Sequence, residues 1–519
     1  MKLNVLLAAL AAGPIPLASA TPLVQISIAE SLAPSIEVAA QRGPHLFNAV
    51  FDSLRKWGAV THRNGMSFML ATVPKNVLLY HGNNHNSTPT TLDWLAYELE
   101  HAEMFARPNW LGPHPRRPGY GPGHGYGHGH DDSNDDNNDD NNDEVESVRQ
   151  DLKRRGIKQD PLADSDDVPL ESPETGHGWL HIYRTTRPLR FLYVDGMSGD
   201  KDNMGVLDSQ DFLLRGVRDE HGWPPRRPPH DEEELPGIPG EQNRVRDLCQ
   251  LCADWNLQGL IRTEWVGFEI IKCDFFDGLD QVQSLQRDDT NPDQPPWFPE
   301  PGKPRRPEMP GTRRDLEDRF RAVNPGRTIL DYSSLMSAFF FPINITNPDN
   351  EHPKSPRLLS TTEDELATVK EYMSNIVQQR HDAPITLYNW RHVADEIVQR
   401  YTPKIFSILN NTNSVDDIAK DIRFLLEAFI DYSIKDETVR DKDAEKRCVA
   451  FYIQTLPLET DADHLLYSAF EAVNAEICAS FFRIRAIIVG DPDADDKSIE
   501  ESKSILKSLI EYLAWHVFE

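Results

Sequence analysis

The stretch at 75–107 reads KNVLLYHG (75–82), then a polar loop, then DWLAYELEHAEMFAR (93–107). Its first run is short, apolar and β-rich after Pro74, and predicts a strand closing on Tyr80-His81-Gly82. Its second run predicts a helix, or a strand passing into one, with Leu95, Leu99, Ala102 and Phe105–Ala106 on one face. A companion, HIYRTTRPLRFLYVDG (181–196), holds two apolar runs split by Arg187-Pro188 and predicts two more strands. Together these pieces describe the strand–loop–strand–helix core of an α/β or α+β domain.

Working outward, Leu46, Val50, Phe51, Leu54 and Trp57 recur at helical spacing ahead of Gly58, and residues 67–73 form a further strand. Residues 206–214 read as a strand and 244–255 as a helix. The run 259–274 is β-branched and aromatic around Gly267, which marks a hairpin or bulge. The expected fold class is an α+β N-terminal domain over 43–285 with disordered insertions, followed by an all-α C-terminal domain over 330–519. The insertions span about 108–178, with Gly/His and Asp/Asn tracts, and 216–242, which is Pro-rich and acidic; neither can build a core. A Pro-rich linker covers 286–329. Helical periods follow at about 362–381, 388–409, 415–433, 438–454, 462–487 and 496–517.

Residues 1–20 carry Lys2, an apolar run and the small-residue site Ala18-Ser19-Ala20, the layout of a secretory signal peptide. The apolar run is too short to span a bilayer, and no later segment has the length of a transmembrane helix. The sequons at Asn86, Asn344 and Asn410 agree with a secreted, extracellular glycoprotein. A net charge of −29 opposes phosphate backbones, so no nucleic-acid partner is expected. In an oxidising compartment some of the five cysteines should pair: Cys448 with Cys478, and Cys273 with Cys249 or Cys252. Cys249-x-x-Cys252 lacks the second ligand pair that zinc needs, and it lies inside a helix rather than at the start of one, so a structural role is expected.

The order LYHG, a helix containing EHAEMFA, then strands ending LRFLYVDG resembles the ADP-ribosyltransferase fold over about 75–275. The resemblance implies Tyr80, His81 and Gly82 as contacts of a nicotinamide dinucleotide (NAD) and Tyr97 as the pocket aromatic. It also implies Glu264 or Glu269 as the acid that stabilises an oxocarbenium-like transition state. The segments DWLAYELEHAEMFAR, LRFLYVDGMSG and GFEIIKCDF also look like those of uncharacterised fungal secreted proteins, a likeness that implies no activity.

No metal site is expected. The loop Asp200-x-Asp202-x-x-Gly205-x-x-Asp208-x-x-Asp211 fits a calcium loop only in part, because Met204 fails at position 5 and Asp211 is short for position 12. An acidic surface turn is the expectation. Ser198 in GMSG (196–199) lacks the full nucleophile-elbow pattern. Two functional classes remain: an ADP-ribosyltransferase-like enzyme or inactive relative, and a non-enzymatic extracellular or wall-associated protein whose helical domain binds a protein partner.

Overall fold

A computed structural model describes residues 32–106, 177–201, 204–218, 240–287, 321–324, 326–381, 383, 389–411 and 414–518. The leader at 1–20 and most of the insertions at 108–178 and 216–242 and of the linker at 286–329 lie outside the described residues. The expected architecture is present: a sheet-based N-terminal part, then a helical C-terminal part.

Nine strands make one sheet: β1 (Ser67–Val73), β2 (Leu78–Asn83), β3 (Asp93–Ala96), β4 (Trp179–Thr185), β5 (Leu189–Val194), β6 (Gly259–Glu264), β7 (Gly267–Lys272), β8 (Leu279–Gln286) and β9 (Ile329–Ser337). Their order is β8-β4-β2-β3-β7-β6-β5-β1-β9. All neighbours are antiparallel except β5 and β6. A parallel pair needs a crossover. Here it runs through a π-helical turn (Ser209–Arg215) and a helix (Glu241–Asp254) that buries Val245, Leu248 and Cys252. Residues 206–214, expected as a strand, run into that turn instead, because their apolar residues cluster (Val206–Leu207, then Phe212–Leu214) rather than alternate.

Before the sheet lie α1 (Ile36–Gln41), α2 (Gly43–Phe51) and α3 (Lys56–Thr61). The single helix expected over 46–57 is broken because Leu54 adopts a left-handed conformation (φ 55°) and donates its N–H to Tyr193 Oη at 3.1 Å. In chain order, α4 is Leu99–Glu103, α5 is the crossover helix, and α6 (Glu363–Arg380) opens the helical region. It continues with α7 (Trp390–Phe406), α8 (Val415–Leu426), α9 (Glu437–Ala450), α10 (Asp461–Ile488) and α11 (Asp496–Leu513). Among the described residues no helix is long and apolar enough to cross a membrane.

Residues 329–337, expected to begin the helical part, are instead β9, an edge strand on β1 buried along nearly all its length. Asp463 explains how strand and helices lock. It is the third residue of α10 and completes a capping box with Thr460. Its Oδ1 also accepts from Ser333 Oγ of β9 and Trp390 Nε1 of α7, both at 2.9 Å. The fully buried Trp515, past α11, stacks on Phe47 of α2 at 5.6 Å. The buried Asp52, just after α2, accepts from His62 Nδ1 at 2.7 Å and His516 Nδ1 at 2.5 Å. The first helices and the last turn of the chain therefore share one core.

Cys448–Cys478 joins α9 to α10 as expected, and Cys249–Cys273 ties α5 to the residue after β7. Cys252 keeps a buried thiol that desolvation pushes up to about 12, which makes it unreactive.

Trp515→Ala should cost about 3–5 kcal/mol, the range for deleting a buried large aromatic. Denaturant titration should show Tyr193 and Trp390 environments lost in the same transition, since both lie in the core that Trp515 closes. A second, unshifted transition would contradict a shared core.

Candidate functional site

Four side chains stand in one row across the middle of the sheet, set by strand register: Tyr80 opposite Ala96, Ala96 opposite Glu269, and Glu269 opposite Arg262. Directly opposed residues share a face. Glu264 lies two residues past Arg262 on β6 and joins that face. Over it lie α4 and the segment at 199–201. The row borders a cleft of about 630 Å³ whose lining includes Tyr80, Trp94, His101, Phe105, Lys201, Glu264 and Glu269.

Two glycines let these elements close in. A Cβ on Gly199 would sit 2.4 Å from Glu264 Cγ and 3.0 Å from Glu269 Oε1. A Cβ on Gly82 would sit 2.0 Å from the Ala102 carbonyl of α4. Gly82, expected as a dinucleotide contact, is thus needed in this structure for helix-on-strand packing.

The floor of the site is Arg262, with no exposed surface. Its Nε donates to Glu269 Oε1 at 2.6 Å, one terminal nitrogen to Glu241 Oε1 at 2.8 Å, and the other to Gln210 Oε1 at 3.1 Å. Glu241 also pairs with Arg244, which forks onto both oxygens of Asp211 at 2.8 Å. Above the floor, Lys201 Nζ donates to Glu264 Oε1 at 2.6 Å, and His101 Nε2 lies 3.5 Å from Glu264 Oε2. The other His101 nitrogen faces Glu98 at 3.8 Å.

These partners set the charges. Burial opposes ionisation of Glu264, but Lys201 and His101 outweigh it and hold the carboxyl well below the usual range. Burial also opposes protonation of His101, yet Glu264 and Glu98 raise it to about 9. Glu269 goes the other way: burial lifts it, with a further push from Glu264 and Glu241, and Arg262 and Lys201 only partly offset the whole. An ionised carboxylate and one driven toward its acid form thus lie side by side, the pattern that separates acid from base in an active site.

His81 reaches the opening from the other side. Pleating turns it to the face opposite Tyr80, where its ring packs edge-on to Phe275 at 5.5 Å and its Nδ1 donates to Trp94 O at 2.7 Å. The cleft takes in both faces because β2 and β3 share only the Tyr80–Ala96 pair and part beyond it. Tyr97 is not brought into the cleft. It is buried in the main core, its Oη bonded to Thr328 Oγ1 at 2.6 Å and its ring under Arg327 at 5.2 Å. The bond to Thr328 and the Arg327 guanidinium over its ring hold it in that core.

The acidic loop does not converge on a cation. Asp200 pairs with Arg63, Asp208 with Arg357, and Asp211 with Arg244 and Arg215, while Asp202 lies outside the described residues. Among the described residues, one group could hold a metal, the exposed Asp349, Glu351 and His352, and none of the three lines the cleft. The Gly/His and Asp/Asn tracts lie outside the described residues. Asn86, Asn344 and Asn410 are all exposed, and Asn86 is not among the cleft-lining residues although its loop is.

Lys201, Glu241, Arg262, His101 and Asp93 were not singled out by sequence. One signal was available: a hairpin turning at Gly267 places Arg262 opposite Glu269, so RTEWVGFE already encodes an ion pair across two strands.

Arg262→Met should cost about 3–5 kcal/mol, because it strands Glu241 and Glu269 in the interior. Lys201→Met, at the partly open rim, should cost less than half of that. Equal costs in a urea titration would refute a floor-and-rim division.

Two family models match the chain: the YPL277C N-terminal domain over residues 36–294 and the YPL277C C-terminal domain over 389–489. The chain is similar to the uncharacterised protein YOR389W of Saccharomyces cerevisiae, with 24% identity covering 91% of this chain and 77% of that one. It is also similar to the uncharacterised protein YPL277C of the same yeast, with 25% identity covering 73% of this chain and 77% of that one. No solved structure matches. The chain belongs to the fungal family that these two domain models describe.

Proposed function

We propose that this chain is a secreted glycoprotein enzyme that breaks a glycosyl bond in the cleft between α4 and the split sheet, with nicotinamide dinucleotide as the first substrate to test. The observation that carries the reading is Glu264. It is an ionised carboxylate at the cleft wall, fixed by Lys201 at 2.6 Å and set beside a second carboxyl, Glu269.

An anionic carboxylate held in place with little water around it stabilises positive charge developing at an anomeric carbon. On the dinucleotide, the bond from the ribose carbon to the nicotinamide nitrogen breaks, and its electron pair leaves on nitrogen. The nicotinamide departs neutral. Water then adds to the ribose carbon and releases a proton to solvent. Trp94, Tyr80 and Phe105 supply apolar surface for flat rings, and the Asn, Ser and Thr residues of the 83–91 loop supply partners for hydroxyls. The reading keeps Glu264 and Glu269 from the transferase resemblance, gives Tyr97 no part, and puts His81 on the far lip.

Glu264→Gln should lower kcat/KM by at least about 100-fold, the scale for losing one preorganised charge contact, while dinucleotide binding by calorimetry changes little. Release of nicotinamide, followed by chromatography, is the assay. No product from the wild type would remove the enzyme reading and leave the extracellular binding protein. In that case the exposed Phe424, Tyr432, Val439 and Phe451 of the helical region become the surface to mutate.

Secretion has its own test. Protein recovered from culture medium should start after Ala20 and lose mass on deglycosylation, and Gln at Asn86, Asn344 or Asn410 should each remove one glycan. Retention inside the cell with residues 1–20 intact would refute it.

A further inference from the structure

On the far lip of the cleft, His81 and Asp93 face each other without a donor between them. His81 is 4% exposed, and its Nδ1 donates to Trp94 O at 2.7 Å, so in the neutral ring Nε2 carries the lone pair. That Nε2 is buried with no hydrogen-bond partner. Its nearest charged neighbour is Asp93 Oδ2 at 3.7 Å, beyond hydrogen-bond range. Asp93 Oδ1 is already used, accepting from Trp94 N at 2.8 Å. Two acceptors therefore point at one gap. A buried acceptor without a donor is costly, and two that share a gap are worse.

Water, with two hydrogens, can bridge the two acceptors, so a ligand that displaces it must itself bring two donors. A single hydroxyl has one hydrogen and satisfies one acceptor only. A nitrogen bearing two or more hydrogens satisfies both, since positions about 2.8–3.0 Å from each acceptor, ordinary hydrogen-bond lengths, subtend a wide enough angle. The carboxylate adds preference for positive charge. Asp93 has a third of its side chain exposed, so an incoming head group meets the carboxylate first and the imidazole second. We propose that His81 and Asp93 form a receptor for a nitrogen head group with at least two N–H bonds, a primary ammonium or a carboxamide, carried by the molecule that fills the cleft. The proposal rests on reading the opening as a ligand cleft but not on the chemistry assigned to Glu264. Asp93 is the anchor, and His81 is the second acceptor, held in its tautomer by the Trp94 carbonyl.

The test uses full-length protein labelled with ¹⁵N at histidine, with the His81 signals assigned by their loss in His81→Phe. Methylammonium and acetamide are the probes, with methanol and acetate as controls. Methylammonium or acetamide should shift the His81 Nε2 resonance saturably, methanol should do so at least tenfold more weakly, and acetate not at all. Asp93→Asn removes the carboxylate acceptor and its charge from the gap, so it should abolish the probe response. Glu264→Gln should respond like the wild type. A His81 ring found as imidazolium at pH 7.5 without probe would overturn the proposal, because it would already pair with Asp93. A wild type silent to both nitrogen probes, or an Asp93→Asn variant that still responds, would also overturn it. If Glu264→Gln leaves nicotinamide release intact while the probes still bind, the receptor stands and the catalytic reading falls.

Discussion

Arg262 is a guanidinium with no contact to water, set in the middle of a nine-stranded sheet. A charge in that position is tolerated only if its donors are met by acceptors of good geometry. Glu269, Glu241 and Gln210 meet them, and each comes from a different element: the partner strand of the hairpin, the crossover helix and the π-helical turn. The requirement of one side chain thus fixes where the crossover between β5 and β6 must run. It also explains why the chain spends polar residues on a path that an apolar helix could have closed with less desolvation.

The same row of residues controls the opening. β2 and β3 meet only at Tyr80–Ala96, so a single pair joins the two parts of the sheet. Sheets are closed by backbone hydrogen bonds, and where these stop side chains must finish the work. Here His81 spans the division with its bond to the Trp94 carbonyl, and α4 covers the other face by settling on Gly82. A cleft at the division follows from strand pairing alone.

Much of this could be read from sequence. The six C-terminal helices obey a single period, with start signals such as Thr362 and Thr460, and their bounds fall within a few residues of expectation at most ends. The hairpin about Gly267, the strands flanking Arg187-Pro188 and the Cys448–Cys478 bridge were equally legible. What was hidden depends on partners distant in sequence. β8 (LDQVQSLQ) is a mostly exposed edge strand without an apolar stripe, so periodicity is silent there. β9 (ILDYSSLMS) is buried on both sides although it mixes polar and apolar residues without alternation, and nothing local tells such a strand from the start of a helix. Tyr97 stands as a pocket residue by motif order, but its partners Thr328 and Arg327, distant in sequence, hold it in the core. Lys201 and Glu241, near the edges of polar stretches, gave no hint that they turn inward.

The placement of charge argues for a site rather than a structural knot. A purely structural cluster would be sealed, with every carboxylate matched and covered. Arg262 is sealed in this way, and Arg244, Glu241 and Glu269 nearly so, but the last member is not. Glu264 keeps 16% of its side chain open to the cleft, and Lys201 beside it 19%. Each buried cation neutralises carboxylates behind Glu264 and so permits one more ionised carboxylate at the surface of the cavity than the interior could otherwise hold. Glu269, pushed toward its acid form, is where that allowance runs out. The cluster therefore has a direction, from a matched interior to an ionised oxygen at a cavity wall, and a folding role alone would not require it to end there.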